Sequence, residues 1–243
     1  MKRILTLCLL ALGCSSNATR LQTFTADDLL RYAEERAAAG KWTDAARAYE
    51  QFIYQFPTHA RYQESRLRLG DVYFNKKEYL TAASEYARLA DDFPGGELAD
   101  DARWRVCESY TRLAPRPQLD QEYTRTAIQH CQSLIALYPQ SEFVDRARES
   151  LTSLNNRLAE KLFLQGDYYY KRNAFDSAIQ SLDDVLQAYP TSSAAPKALL
   201  RLYQSYVKIG YAEEATQAKE RLLRDFPDSP EARRVKDAAT PPR

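Results

Sequence analysis

An aromatic residue followed directly by proline occurs at five places in this chain, and this repeat constrains the fold more than any other feature. The pairs are Phe56-Pro57, Phe93-Pro94, Tyr138-Pro139, Tyr189-Pro190 and Phe226-Pro227. An alanine lies twelve residues before each proline, at Ala45, Ala82, Ala127, Ala178 and Ala215. Proline ends a helix, and the single methyl group of alanine lets a second helix approach closely. The pattern therefore predicts five units that each close with a helix.

A second set of markers lies earlier in each unit. One position carries a small residue in the first four units and tyrosine in the last: Ala33, Gly70, Cys107, Gly166 and Tyr203. Gly40 and Gly210 follow such helices, where glycine favours a turn. Apolar residues around the markers recur at helical spacing, and no segment of useful length alternates as a strand would. The sequence predicts an all-α fold that resembles a TPR-type helical-hairpin solenoid of five repeats.

Two of the repeats are longer than the others. In the third, the segment from Leu113 to Asp120 contains two prolines, which predicts a loop between its helices. From Phe143 to Arg172 there is no proline, which predicts one long helix or two joined end to end. We therefore expect repeats 1–3 over residues 24–139, repeats 4–5 over residues 140–232, and a frayed tail over residues 233–243.

The N-terminus is typical of an export signal, which we place at residues 1–13. Lys2 and Arg3 precede an apolar run that is too short to span a bilayer as a helix. The run ends in Leu-Ala-Leu-Gly-Cys14, which resembles a bacterial lipobox and predicts lipidation of Cys14 and a linker over residues 14–23. No aspartate follows Cys14, so we expect the outer membrane, facing the periplasm. The alternative is an ordinary secretory signal with a chance cysteine.

Charge and composition exclude several classes of function. The chain has 34 basic and 33 acidic residues, and removal of Lys2 and Arg3 leaves 32 basic ones. Nucleic-acid-binding proteins carry a large basic excess, so no nucleic acid is expected as a partner. His59 and His130 lack the partners that catalysis or zinc binding needs, and there is no glycine-rich phosphate loop. We expect no enzyme, no metal and no cofactor. Cys107 and Cys131 could form a disulfide or be two small buried residues.

Several segments resemble the BamD family, the lipoproteins of the β-barrel assembly machinery. They are Leu119-Asp-Gln-Glu-Tyr-Thr-Arg-Thr-Ala127, Tyr138-Pro-Gln-Ser-Glu-Phe143, Asn156-Arg-Leu-Ala-Glu160, Tyr169-Tyr-Lys-Arg172 and Tyr189-Pro-Thr191. The resemblance implies binding to the POTRA region of BamA, to other Bam components and to unfolded outer-membrane β-barrel proteins. It implies that substrate meets the N-terminal repeats and BamA the C-terminal ones. The family has an arginine where this chain has Ser181, whereas Arg172 matches a family arginine.

Two candidate surfaces follow from these considerations. A substrate groove is predicted on the first helices of the second and third repeats, with candidates Asp71, Phe74, Asn75, Trp104, Glu108 and Arg112. A BamA contact is predicted at Tyr170, Lys171 and Arg172. The alternative is that these aromatic residues pack against neighbouring repeats and that the basic pair only complements a helix end. The alternative function is another periplasmic TPR lipoprotein adaptor, for Tol-Pal, cell division or a peptidoglycan enzyme.

Overall fold

The computed structural model describes residues 21–238, and within them the regular elements are all helices. Eleven helices follow one another in this part of the chain: α1 Ala26–Ala38, α2 Trp42–Gln55, α3 Tyr62–Asn75, α4 Tyr79–Asp92, α5 Ala99–Leu113, α6 Glu122–Leu137, α7 Val144–Lys171, α8 Phe175–Ala188, α9 Ala195–Ile209, α10 Ala212–Asp225 and α11 Pro230–Ala238. The predicted all-α, TPR-type class is confirmed. Over this stretch, none of the helices is long and apolar enough to cross a membrane. The predicted signal peptide and lipidation site, Cys14, lie outside the described residues.

Each aromatic-proline pair ends a helix in the same way. The aromatic residue follows the last helical residue and donates its backbone N–H to the carbonyl four residues before, as Phe56 does to Phe52 at 2.8 Å. Its own carbonyl then accepts the N–H three residues later, as Phe56 does from His59. The residue before a proline is disfavoured in the α conformation, so the helix stops there. The same arrangement ends α4, α6, α8 and α10.

Over the described residues the chain forms two compact units, which divide between Ser109 and Tyr110. In the described part of the first, α1 packs on α2, α2 on α3 and α3 on α4. Its core contains Leu29, Ala33 and Phe52, all without solvent exposure. The marker alanines Ala45 and Ala82 are also completely buried, which is the close packing that their spacing predicts. Cys107, in α5, is buried and disulfide-bonded.

In the second unit α7 is a single helix of 28 residues, so the long proline-free segment does not divide in two. It packs on α6 and α8, while α9 contacts α7, α8 and α10. The short helix α11 packs on both α9 and α10 and contributes Val235, only 4% exposed, to the core. Helical structure therefore continues past residue 232, where we expected the tail to begin. Cys131, in α6, is buried and disulfide-bonded.

Four hairpin turns share one left-handed backbone position. It is occupied by Gly40, Lys77, Asn173 and Gly210, with φ of 68°, 64°, 58° and 82°. In each turn the next residue donates its N–H to a carbonyl five residues before it, as Lys41 does to Arg36 at 2.8 Å. This bond closes the end of the helix and needs a positive φ at the turn residue. Glycine adopts that conformation freely, whereas lysine is strained in it.

Replacement of Lys77 with glycine should therefore raise the free energy of unfolding by about 1 kcal/mol. The reverse change, Gly210→Ala, is the matched control, because a Cβ on Gly210 would meet no atom within 4 Å. It should lower stability by a similar amount through backbone strain alone. Urea denaturation followed by circular dichroism measures both. A Lys77→Gly variant no more stable than the parent would contradict the strain argument.

Candidate functional site

In the first unit, the predicted groove residues of α3 already have intramolecular partners. The Asp71 carboxylate accepts hydrogen bonds from the Tyr86 hydroxyl at 2.8 Å and from Arg68 at 3.2 Å. The Asn75 side-chain amide donates to the Asp71 backbone carbonyl at 2.8 Å. The Phe74 ring meets Tyr79 edge to face, with ring centroids 5.1 Å apart. Asn75 is nevertheless exposed and Phe74 half-buried, so both remain accessible to a bound segment.

The candidates on α5 differ in exposure. Trp104 is only 8% exposed, so its indole is a packed side chain and offers little surface for a ligand, as the packing alternative expects. Glu108 lies 3.7 Å from the guanidinium of Arg105, which also bonds to Asp101 at 3.1 Å. Arg112 is exposed and lies in the second unit. The accessible polar candidates in this region are therefore Glu108 and Arg112.

One buried and three partly buried ionisable groups connect these helices of the first unit. Burial raises the pKa of Tyr86 well above its usual range, and the negative charge of Asp71 adds to this effect. Burial also raises the pKa of Asp101, although Arg105 opposes it. The negative charges of Asp71 and Asp101 both raise the pKa of the Arg105 guanidinium. Asp71, Tyr86, Asp101 and Arg105 thus form one electrostatic cluster drawn from α3, α4 and α5.

In the second unit, the predicted BamA-contact residues surround a buried carboxylate. Asp167 accepts from Lys171 and from Arg201, each at 2.6 Å. The Arg201 guanidinium also lies over the Tyr170 ring, 4.6 Å from its centroid. Burial alone would raise the pKa of Asp167, but the hydrogen bonds from Lys171 and Arg201 hold it below its ordinary value. Asp167 therefore carries a negative charge at neutral pH and fixes two cations.

Arg172 follows Lys171 in the chain, and its guanidinium lies over an exposed aromatic side chain. Its guanidinium is 4.4 Å from the centroid of the Tyr168 ring, which is 52% exposed. Lys171 and Arg172 are both exposed at the end of α7. This end of the helix presents positive charge and aromatic surface together, a combination common at protein interfaces.

A groove of about 270 Å³ opens next to Arg201, between α7, α9 and α11. Its apolar lining consists of Phe163, Leu200, Tyr203 and Val235, and its polar lining of Lys197, Arg201, Gln204, Glu231 and Arg234. Lys197 pairs with Glu160 at 3.0 Å and also lies 5.6 Å from the centroid of the Phe163 ring. An apolar floor with cations at its rim suits a segment that carries apolar and acidic side chains.

The family model described as YfiO, outer membrane lipoprotein, matches residues 23–222. The chain belongs to this family. Similar proteins named outer membrane protein assembly factor BamD confirm the predicted BamD family. The Caulobacter vibrioides protein is 27% identical over 79% of this chain and 63% of its own length. The chain thus spans less than two thirds of that relative.

Two other BamD proteins align over more of their length. That of Vibrio cholerae is 24% identical over 87% of this chain and 92% of its own. That of Neisseria meningitidis serogroup A is 25% identical over 95% of this chain and 93% of its own length. Among solved structures, the TPR2AB domain of yeast Sti1 gives a TM-score of 0.45 at 14% identity, with 88% of this chain and 82% of that one covered.

Ser181 is the position at which the resemblance to the BamD family led us to expect a difference. The side chain lies on α8 and is only 6% exposed, so it is a packing residue in this protein.

The sequence did not identify Lys197, Arg201 and Arg234 as groove residues. A signal was present in the segment that begins at Pro230, because proline at a first helical position followed by spaced apolar residues indicates a helix. Without α11 the groove has only two walls, and so its cations cannot be recognised from α7 and α9 alone.

Proposed function

We propose that this chain is a non-enzymatic scaffold of the outer-membrane β-barrel assembly machinery. It binds the POTRA region of a BamA protein, other Bam components and unfolded outer-membrane β-barrel proteins. It is held at the outer membrane by lipid on Cys14 and faces the periplasm, and its work requires neither a metal nor a cofactor. The observation that carries this proposal is membership of the family over residues 23–222.

The second unit supplies the BamA contact in this proposal. Lys171 and Arg172 are exposed, Tyr168 adds apolar surface, and the groove beside Arg201 provides a pocket for an anchoring side chain. Interfaces depend on a few such anchors, while complementary charge steers association. The partner surface is therefore acidic and carries at least one apolar side chain. These cations take the place of the family arginine that Ser181 replaces.

The first unit supplies the substrate contact. Asn75 can bond the backbone of an extended peptide with the parts of its amide that Asp71 does not engage, and Phe74 offers an aromatic face. Unfolded barrel proteins present extended segments with alternating apolar side chains. Asp71 itself acts indirectly, since it positions Asn75 through its backbone carbonyl and Tyr86 through its carboxylate.

The test is calorimetric titration of the mature, non-lipidated chain with the POTRA domains of BamA from the same organism. We expect saturable binding with Kd of about 1 µM or tighter, weakened about tenfold by Arg172→Glu. Arg47→Glu is the matched control, because it reverses the charge of an exposed arginine of the first unit. Absence of heat from a folded, helical chain would contradict the BamA assignment and leave an envelope adaptor for another partner.

A further inference from the structure

Tyr54, in the last turn of α2, is 83% exposed. That is the greatest exposure of any large hydrophobic side chain over residues 21–238. The ring therefore contributes almost nothing to the packing of the first unit. Single exposed aromatic side chains occur on many protein surfaces, so the meaning of this one depends on its position in the repeat and on what lies near it.

The five repeats provide an internal comparison for this position. The residue three before the helix-ending proline is exposed in every repeat: Tyr54, Asp91, Ala136, Gln187 and Arg224. In the later repeats it is charged, polar or small, as a solvated helix position requires. Asp91, for example, pairs with Arg103. Only the first repeat has a large apolar group here, so the repeat fold itself does not demand one.

The first repeat differs from the others in being joined to the N-terminal segment of the chain. That segment enters the described structure at the last turn of α2, where the side-chain amide of Gln55, the residue after Tyr54, donates to the backbone carbonyl of Gln22 at 3.1 Å. Leu21 is 8% exposed in the core of the first unit, and the Phe24 ring packs edge to face on Tyr32. These contacts fix the chain entry point at the end of α2.

Covalent geometry limits how far this edge can be from the lipid. Cys14 and Leu21 are seven residues apart, and a fully extended chain of that length spans at most about 25 Å. With the acyl chains of Cys14 in the bilayer, Leu21 therefore lies within about 25 Å of the lipid. A tether this short allows the neighbouring end of α2, which carries Tyr54, to reach the membrane surface.

We propose that Tyr54 docks the first unit on the phospholipid surface to which Cys14 anchors it. The ring enters the headgroup region, with its apolar face toward the acyl chains and its hydroxyl toward phosphate and water, as interfacial tyrosines do. Anchor and ring together give two points of attachment at one edge. The docked unit has a defined orientation, which a lipid tether alone does not impose. This proposal rests on lipidation of Cys14.

The experiment uses the full lipidated chain on vesicles of phosphatidylethanolamine and phosphatidylglycerol. Tyr54→Trp places a reporter at the edge, and Gln187→Trp places the same reporter at the equivalent exposed position of the fourth repeat. Each emission spectrum is read as a difference from the parent, which contains Trp42 and Trp104. We expect the added emission of Tyr54→Trp to shift to the blue and to lose most of its intensity with dibrominated acyl chains. The emission of Gln187→Trp should keep its wavelength and intensity.

The docking proposal would be overturned if the Tyr54→Trp chain floats with the vesicles but its added emission stays at long wavelength and is not quenched by dibrominated acyl chains. Equal quenching of both reporters would overturn it too, because contact would then not be specific to this edge. A blue shift that requires added POTRA domains would assign Tyr54 to a protein partner instead of lipid. If the chain does not float with the vesicles, Cys14 does not anchor it to lipid, and the docking proposal fails together with the anchor.

Discussion

Replacement of Gly70 with valine is expected to lower the free energy of unfolding by about 3 kcal/mol. A Cβ at this position would lie 2.4 Å from Cε1 of the Tyr86 ring and within 2.8 Å of two further ring atoms. Tyr86 has no exposed surface, and its hydroxyl is bonded to Asp71. The ring cannot move aside without breaking that bond and opening the α3–α4 interface. Strain should therefore exceed the gain in helix propensity from glycine to valine, which is under about 1 kcal/mol.

The same substitution at Gly95 is the control, since a Cβ there would meet nothing within 4 Å. Both glycines belong to the first unit, so denaturation by urea reports on the same cooperative structure. Gly95→Val should change stability by less than about 0.5 kcal/mol. Equal losses for the two variants would show that valine acts through backbone preference, and the close approach of Tyr86 to Gly70 would then not determine stability.

Gly70 also illustrates why much of the fold could be predicted from the sequence. In the second and fourth repeats the small residue of the first helix lies against the residue four after the marker alanine of the second helix, so the two markers recur at fixed spacing. Gly166 meets Leu182 in the fourth repeat, where a Cβ would lie 2.7 Å from Cγ. Helix ends were equally predictable, because an aromatic-proline pair stops a helix through local backbone sterics alone.

The candidate site was harder to predict, because helical spacing identifies a face but not what covers it. Phe74 and Trp104 were both predicted to line the groove, yet Trp104 is buried and Phe74 remains half-exposed. The pair between Asp167 and Arg201 joins residues 34 positions apart, on two helices whose relative rotation depends on the whole core. Tyr54 lies at an unremarkable exposed position, and only comparison with the other repeats makes it unusual.

Asp167→Asn is expected to lower the stability of the second unit by about 2 kcal/mol at neutral pH. The side chain of Asp167 is 10% exposed and that of Arg201 28%, so the pair is mostly screened from water. An amide keeps the shape of the carboxylate but leaves two cations without a counter-charge. Asp145→Asn is the control in the same helix. Asp145 also pairs with an arginine, Arg148 at 3.0 Å, but it is 88% exposed, so its loss should cost under about 1 kcal/mol.

The effect of Asp167→Asn should also depend on pH in a defined direction. The folded-state pKa of Asp167 is below its ordinary value, so its stabilisation is complete above the unfolded-state pKa. It is lost as pH falls through the folded-state pKa, because a protonated Asp167 no longer pairs with Lys171 and Arg201. Urea unfolding at about pH 7 and about pH 3 should therefore show parent and variant converging in acid. A difference that persists unchanged in acid would mean that Asp167 stabilises the unit through shape, and that its charge does not hold Lys171 and Arg201 in place.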